Sequence, residues 1–237
     1  MMSGWAKKRF WKETSWQAVD GGFGVFLDGR AVKTPAKAAL VVPTEAMAQA
    51  MAAEWEAQEG EIDPTTMPVT RAANAAIDKV AVQHAEVADM LAEYGGSDLL
   101  CYRATSPAEL IARQAEAWDP LLLWAAEELG AQLTSVAGVM FQPQDEGALE
   151  LLRQEVHGFD NFELAAFHDL VGISGSLILG FAAARDFMDI DALWELSRVD
   201  ERWQEEQWGR DEEAAVEAGK KFEAFTNAYA FFKMAKT

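Results

Sequence analysis

Cysteine is almost absent from this 237-residue chain: Cys101 stands alone, which removes any disulfide and any zinc site built from several thiolates. Histidine is scarce as well, and His84, His157 and His168 form neither an HExxH pair nor a ligand spacing with Cys101. No metal site and no cofactor are expected. Long apolar runs are missing too. The longest weakly polar stretch, 173–184, is about half the ~20 residues a bilayer span needs, and the N-terminus MMSGWAKKRFWKETSW carries charge where a signal peptide needs an apolar segment. Basic charge is in short supply: 20 Lys and Arg face 39 Asp and Glu, a formal charge of −19 that disfavours nucleic acid and anionic lipid as partners. A protein or a small ligand remains. Half of the residues are hydrophobic, so the chain can bury a core and is not an acidic disordered segment.

What is present is unevenly placed. The basic residues Lys7, Lys8, Arg9, Lys12, Arg30, Lys33 and Lys37 crowd into the first 37 residues, where only Glu13, Asp20 and Asp28 oppose them. The same segment has strand chemistry. Gly21-Gly22 precedes Phe23 to Leu27, Asp28-Gly29 sits where a two-residue hairpin turn wants positive φ, and Arg30 to Thr34 returns, with Ala39 to Val42 as a third strand. Thr44 then caps a helix on which Met47, Ala50, Met51 and Trp55 recur at helical spacing up to Gly60. Trp55 shares that stripe with the methionines, so Glu54 and Trp55 are assigned a structural or interdomain packing role. After the connector 62–68 everything reads as helix: 69–94, open to a break near Gln83 and ended by Gly95-Gly96, then 107–118, 120–129, 146–157, 161–171, 175–187, 190–217 and 220–235, with 131–141 extended. The predicted fold is α+β and mostly α: a small β-rich N-terminal α/β domain at 1–68 and a larger multihelical domain at 69–237.

Enzyme signatures fail one by one. Gly172-Ile173-Ser174-Gly175-Ser176 lacks the GxSxG spacing and a preceding strand, so Ser174 is expected as a helix cap. The glycines at 21, 22 and 24 lack the Lys-Ser/Thr ending of a phosphate loop. Cys101 lies in an apolar setting with no base beside it. An enzyme acting on a small molecule through Cys101 or a buried carboxylate stays open as the alternative. The feature that stands out is the predicted helix 190–217. Its stripe Leu193, Leu196, Val199 and Trp203 turns polar at Gln207 and Arg210, while Asp200, Glu201, Glu205, Glu206 and further acids crowd around it. A solvated face with an i,i+4 row Arg198, Arg202, Glu206, Arg210 would account for the charge. Trp203 and Trp208 interleaved with the acids point instead to a protein-binding surface.

The residues also resemble a known family in order along nearly the whole chain. The stretches are Arg9-Phe10-Trp11-Lys12, Leu27-Asp28-Gly29-Arg30 with Val32-Lys33-Thr34-Pro35, Glu54-Trp55 with Gln58, and Met67-Pro68 with Thr70-Arg71. Ala76-Ile77-Asp78, Ser97 to Arg103, Trp118-Asp119-Pro120, and Ser197-Arg198 leading to Gln207-Trp208-Gly209 continue the series. The chain is thereby similar to the assembly chaperones that hold the alpha subunit of the ATP synthase catalytic sector before it joins the beta subunit. The resemblance implies a monomeric protein without catalytic activity that covers the beta-facing surface of the unassembled alpha subunit. Mitochondrial members carry a targeting segment before the Arg-Phe-Trp-Lys stretch, so the short leader here implies a bacterial relative in the cytoplasm. The family's functional acidic helix falls on Asp200 and its neighbours, with Asp200 standing where glutamate is expected. The partner-binding set is therefore Asp200, Glu201, Trp203, Glu205, Glu206 and Trp208. Asp200 is expected to face solvent.

Overall fold

The computed structural model describes residues 8–236; Lys7 and the leader before it, read above for charge and targeting, lie outside the described residues. The fold is α+β and mostly α, as expected. The chain packs into two compact units. Of the described residues, one holds 8–84 together with 160–166 and 230–236, and the other holds 85–159 and 167–229.

In the first unit, strands β1 (Thr14–Val19), β2 (Gly22–Leu27), β3 (Arg30–Ala31) and β4 (Val41–Val42) form one antiparallel sheet with β2 at its centre. Asp28 at φ 47° and Gly29 at φ 75° make the β2–β3 turn that the Asp-Gly pair predicts. The Asp28 carboxylate also accepts the Lys12 and Glu13 amides, both at 3.0 Å, and these bonds hold its pKa below the ordinary range. Helix α1 (Glu45–Glu56) starts at Thr44, whose hydroxyl oxygen accepts the Met47 amide, and it buries Met47, Met51 and Trp55. The Trp55 ring meets Trp11 edge to face at 5.3 Å. Glu54 does a different job: its two oxygens accept the Val69 and Thr70 amides at 2.6 and 2.8 Å, capping α2 (Pro68–Asp78), whose Met67 N-cap offers no side-chain bond.

The second unit contains α3 (His84–Ala92) from Ala85 on, the two-residue strands β5 (Tyr102–Arg103) and β6 (Val136–Ala137) paired in parallel, α4 (Ala108–Glu128) and α5 (Glu146–His157). It also takes most of α6 (Asn161–Ser174), then α7 (Leu177–Ala184), α8 (Ile190–Leu196), α9 (Val199–Trp208) and most of α10 (Glu212–Ala235). Every residue of α7 is buried. The fully buried Asp98 carboxylate fastens its start, accepting the Ser176 hydroxyl at 2.7 Å and the Ile178 and Leu100 amides at 3.1 and 3.0 Å.

Four local expectations change. The helices expected at 107–118 and 120–129 are one helix, α4, with Pro120 inside it. The buried stripe Trp118, Leu121, Trp124 and Ala125 on that helix outweighs the hydrogen bond that proline removes. The helix expected at 190–217 is three pieces: Ser197 turns its hydroxyl onto the Trp194 carbonyl at 2.6 Å, and Gly209 at φ 91° stops α9 before α10 begins. Ser174 caps nothing, because its hydroxyl donates back to the Leu170 carbonyl at 2.7 Å and Ser176 is the cap of α7. Extended structure within 131–141 is confined to Val136–Ala137.

Candidate functional site

Helix α9 carries all six residues assigned to partner binding, and the second unit builds one wall of a groove of about 620 Å³ from it. Asp200, Trp203, Gln204, Gln207 and Trp208 line that wall; residues between 99 and 114, with Gly138 and Val139, line the rest. The groove's described lining contains neither histidine nor cysteine.

The carboxylates of α9 are not equivalent. Glu206 forms a fork-to-fork pair with Arg113 of α4, two bonds of 2.8 Å, and the same guanidinium lies 4.9 Å over the Trp203 ring. Arg113 holds the Glu206 carboxyl below its ordinary range, and Glu206 in turn raises Arg113. Glu205 sits between Arg202 at 3.3 Å and Arg198 at 3.5 Å, and Arg202 also grips Glu195 of α8 at 2.6 Å. The expected row Arg198, Arg202, Glu206, Arg210 is therefore not the pairing that forms. Once α8 and α9 are separate helices, Arg202 reaches back to Glu195 and Glu206 is left for α4.

Asp200 has a different partner. Among the described residues it meets no cation, and one of its oxygens accepts the Gln114 amide N–H at 2.6 Å. Gln114 is itself 1% exposed, and its carbonyl accepts the Ala104 backbone N–H at 2.7 Å, which fixes which way the amide points. Asp200 is thus half-buried and held, where the sequence put it facing solvent. Glu201 is exposed, Trp203 half-buried, and Trp208 is 79% exposed at the end of the helix. The arrangement leaves one oriented carboxylate without a counter-ion in a groove with aromatic walls, which suits recognition of a cationic group beside apolar surface.

Glu54 and Trp55 belong to the first unit, with Trp55 5% exposed and burial raising the Glu54 pKa above its ordinary 4.5 against the pull of the Thr70 and Val69 bonds. Cys101 is buried, and desolvation helped by Asp98 pushes its thiol up to about 12, so it stays protonated near neutral pH. No group of three or more His, Cys, Asp or Glu among the described residues is placed to hold a metal ion, and no described helix is long and apolar enough to cross a membrane.

Sequence reasoning missed Arg113, Gln114 and the segment around Val139. One signal for Gln114 was available, since it falls on the same helical stripe as Trp118, Leu121 and Ala125 and is a polar residue in an apolar row. Nothing local announced that its partner would be Asp200, 86 residues away.

Comparison with known proteins follows the same line. The model of the family described as "ATP12 chaperone protein" matches residues 8–126. The mitochondrial protein atp12 of Schizosaccharomyces pombe is 27% identical over 219 residues, covering 87% of this chain and 75% of its own. The crystal structure of Atp12 from Paracoccus denitrificans is 49% identical, with 96% of this chain and 98% of that one covered at a TM-score of 0.94. The Atu1473 protein of Agrobacterium tumefaciens is 38% identical, with 96% and 85% covered at a TM-score of 0.92.

Proposed function

The chain belongs to the ATP12 chaperone family, whose members serve ATP synthase assembly, and on that premise we propose that it holds the unassembled alpha subunit and shields the beta-facing interface until the beta subunit displaces it. The observation that carries this reading is the α9 groove, where Asp200 has no cationic partner among the described residues while Glu205 and Glu206 are matched by arginines. An isolated assembly subunit exposes apolar surface that drives aggregation. A groove with aromatic walls and one unmatched carboxylate can cover such a surface, and the chain's net charge of −19 speeds encounter with a basic interface. Asp200, Glu201, Trp203 and Trp208 form the contact face, and Glu205 and Glu206 hold its geometry through their arginines.

In this reading the protein is a cytoplasmic monomer that turns over no substrate and needs no nucleotide, metal or nucleic acid. Cys101, the nucleophile of the enzyme alternative, is buried and protonated near neutral pH, which favours the chaperone. Light scattering from refolding ATP synthase alpha subunit tests the proposal. An about equimolar amount of the protein suppresses aggregation without ATP, and an unchanged aggregation rate refutes it.

A further inference from the structure

The segment 134–144 is closed by a clasp. The buried Gln144 side chain accepts the Thr134 backbone N–H at 2.8 Å and returns its own N–H to the Thr134 carbonyl at 2.9 Å. Within the clasp, β6 pairs with β5, and the Gly138 amide donates to the Arg103 carbonyl at 2.8 Å. Beyond Gly138 come three consecutive apolar residues turned outward: Val139 is 92% exposed, Met140 75% and Phe141 67%. A loop with bonded ends that spends three large apolar side chains on solvent is costly unless something covers them. Val139 lies on the groove's edge, and Trp208 lines the same groove.

We infer that this clasped loop and Trp208 are the apolar walls of a docking groove for an extended client segment in which a Lys or Arg is flanked by apolar residues. Charge complementarity selects that occupant. The groove's other charged side chain, Arg103, is already engaged by Asp119 at 2.8 Å and by the Leu100 carbonyl at 2.7 Å, so Asp200 is the charge left to satisfy. Gln114 orients one carboxylate oxygen and leaves the other for the guest. Met140 is suited to the task, because its unbranched side chain adapts to irregular partners. The inference rests on the chaperone reading above and adds which chemistry the client presents.

The test uses the full chain with a photo-crosslinking benzoylphenylalanine in place of Val139 or Trp208, and in place of Leu123, an exposed apolar residue outside the groove lining, as control. Each variant is irradiated with refolding alpha subunit and the linked residues are mapped by mass spectrometry. The Val139 and Trp208 probes converge on one short segment that contains Lys or Arg between apolar residues. Asp200→Asn lowers that crosslink yield on the order of tenfold, and replacing Val139, Met140 and Phe141 together by Ser does the same without moving the thermal unfolding midpoint. Scattered crosslinks, or equal capture by the Leu123 probe, overturn the groove while aggregation suppression by the unmodified chain keeps the chaperone reading. Sedimentation showing a self-dimer that the triple-Ser variant abolishes assigns the loop to a second copy and also overturns the inference. If the unmodified chain neither suppresses aggregation nor crosslinks, the chaperone reading fails and the groove's client fails with it.

Discussion

Replacing Asp200 by Asn and by Lys separates its charge from its place in the fold. Gln114 is 1% exposed, with its carbonyl committed to Ala104, so its N–H must keep an acceptor at position 200. Asn still supplies an oxygen there. It loses only the difference between a charged and a neutral hydrogen bond, about 1 kcal/mol. Lys supplies no acceptor and leaves the Gln114 donor unsatisfied or exposed to the groove's water, a loss of about 1–3 kcal/mol. The sequence alone, with Asp200 facing solvent, would have put that loss within about 0.5 kcal/mol. Neither change approaches the roughly 5–15 kcal/mol that holds a domain folded, so both variants fold. Binding sets them further apart. Asn removes the attraction for a cationic client, whereas Lys turns it into a like-charge repulsion that costs several kcal/mol where the pair is desolvated. Urea unfolding and light scattering on the same preparations read the two effects. Full chaperone activity in Asp200→Asn would refute the charge argument, and equal destabilisation by Asn and Lys would refute the role given to Gln114.

Three further outcomes are expected. Trp55→Arg puts a charge into the packed Trp11, Met47 and Met51 contact, where a lost tryptophan alone costs about 3–5 kcal/mol, so soluble yield and unfolding temperature both fall; an unchanged melting curve would contradict the packing. Glu54→Gln turns an amide N–H toward one of the two backbone amides that cap α2, at about 1–3 kcal/mol. Because burial raises the Glu54 pKa, its titration stabilises the fold fully below the ordinary 4.5 and that contribution fades as pH rises through the folded value; the gap between wild type and Glu54→Gln in urea unfolding therefore narrows as pH climbs past 4.5. Glu206→Lys breaks the fork with Arg113 and sets two cations together on an exposed surface, so its unfolding midpoint drops at low salt and recovers at ~1 M NaCl, where charges more than about 3 Å apart are screened; a drop that salt leaves untouched would mean the pair is not held by charge.

The parts of the fold legible in the sequence are those settled within a few residues. Asp28-Gly29 forces its hairpin because both residues take positive φ, and Thr44 announces α1 because a hydroxyl at that point satisfies an end amide. The sequence reading missed β1: Thr14 to Val19 alternates weakly and makes sense only against β2. Two helix errors had opposite causes. At Pro120 a local breaker lost to burial on both sides of it, and at Ser197 and Gly209 a periodic stripe lost to a side-chain bond and a positive φ. The site shows the same division more sharply. That α9 would be acidic and aromatic is written in ten consecutive residues. Two of its acids meet α4 and fare differently there, through adjacent residues of that helix: Arg113 neutralises Glu206, and Gln114 holds Asp200 without neutralising it. Exchanging the chemistry of those two α4 positions would leave every acid of α9 in place and move the neutralised charge from Glu206 to Asp200, so the charge pattern of this face belongs to the pairing of two helices and not to the acidic segment alone.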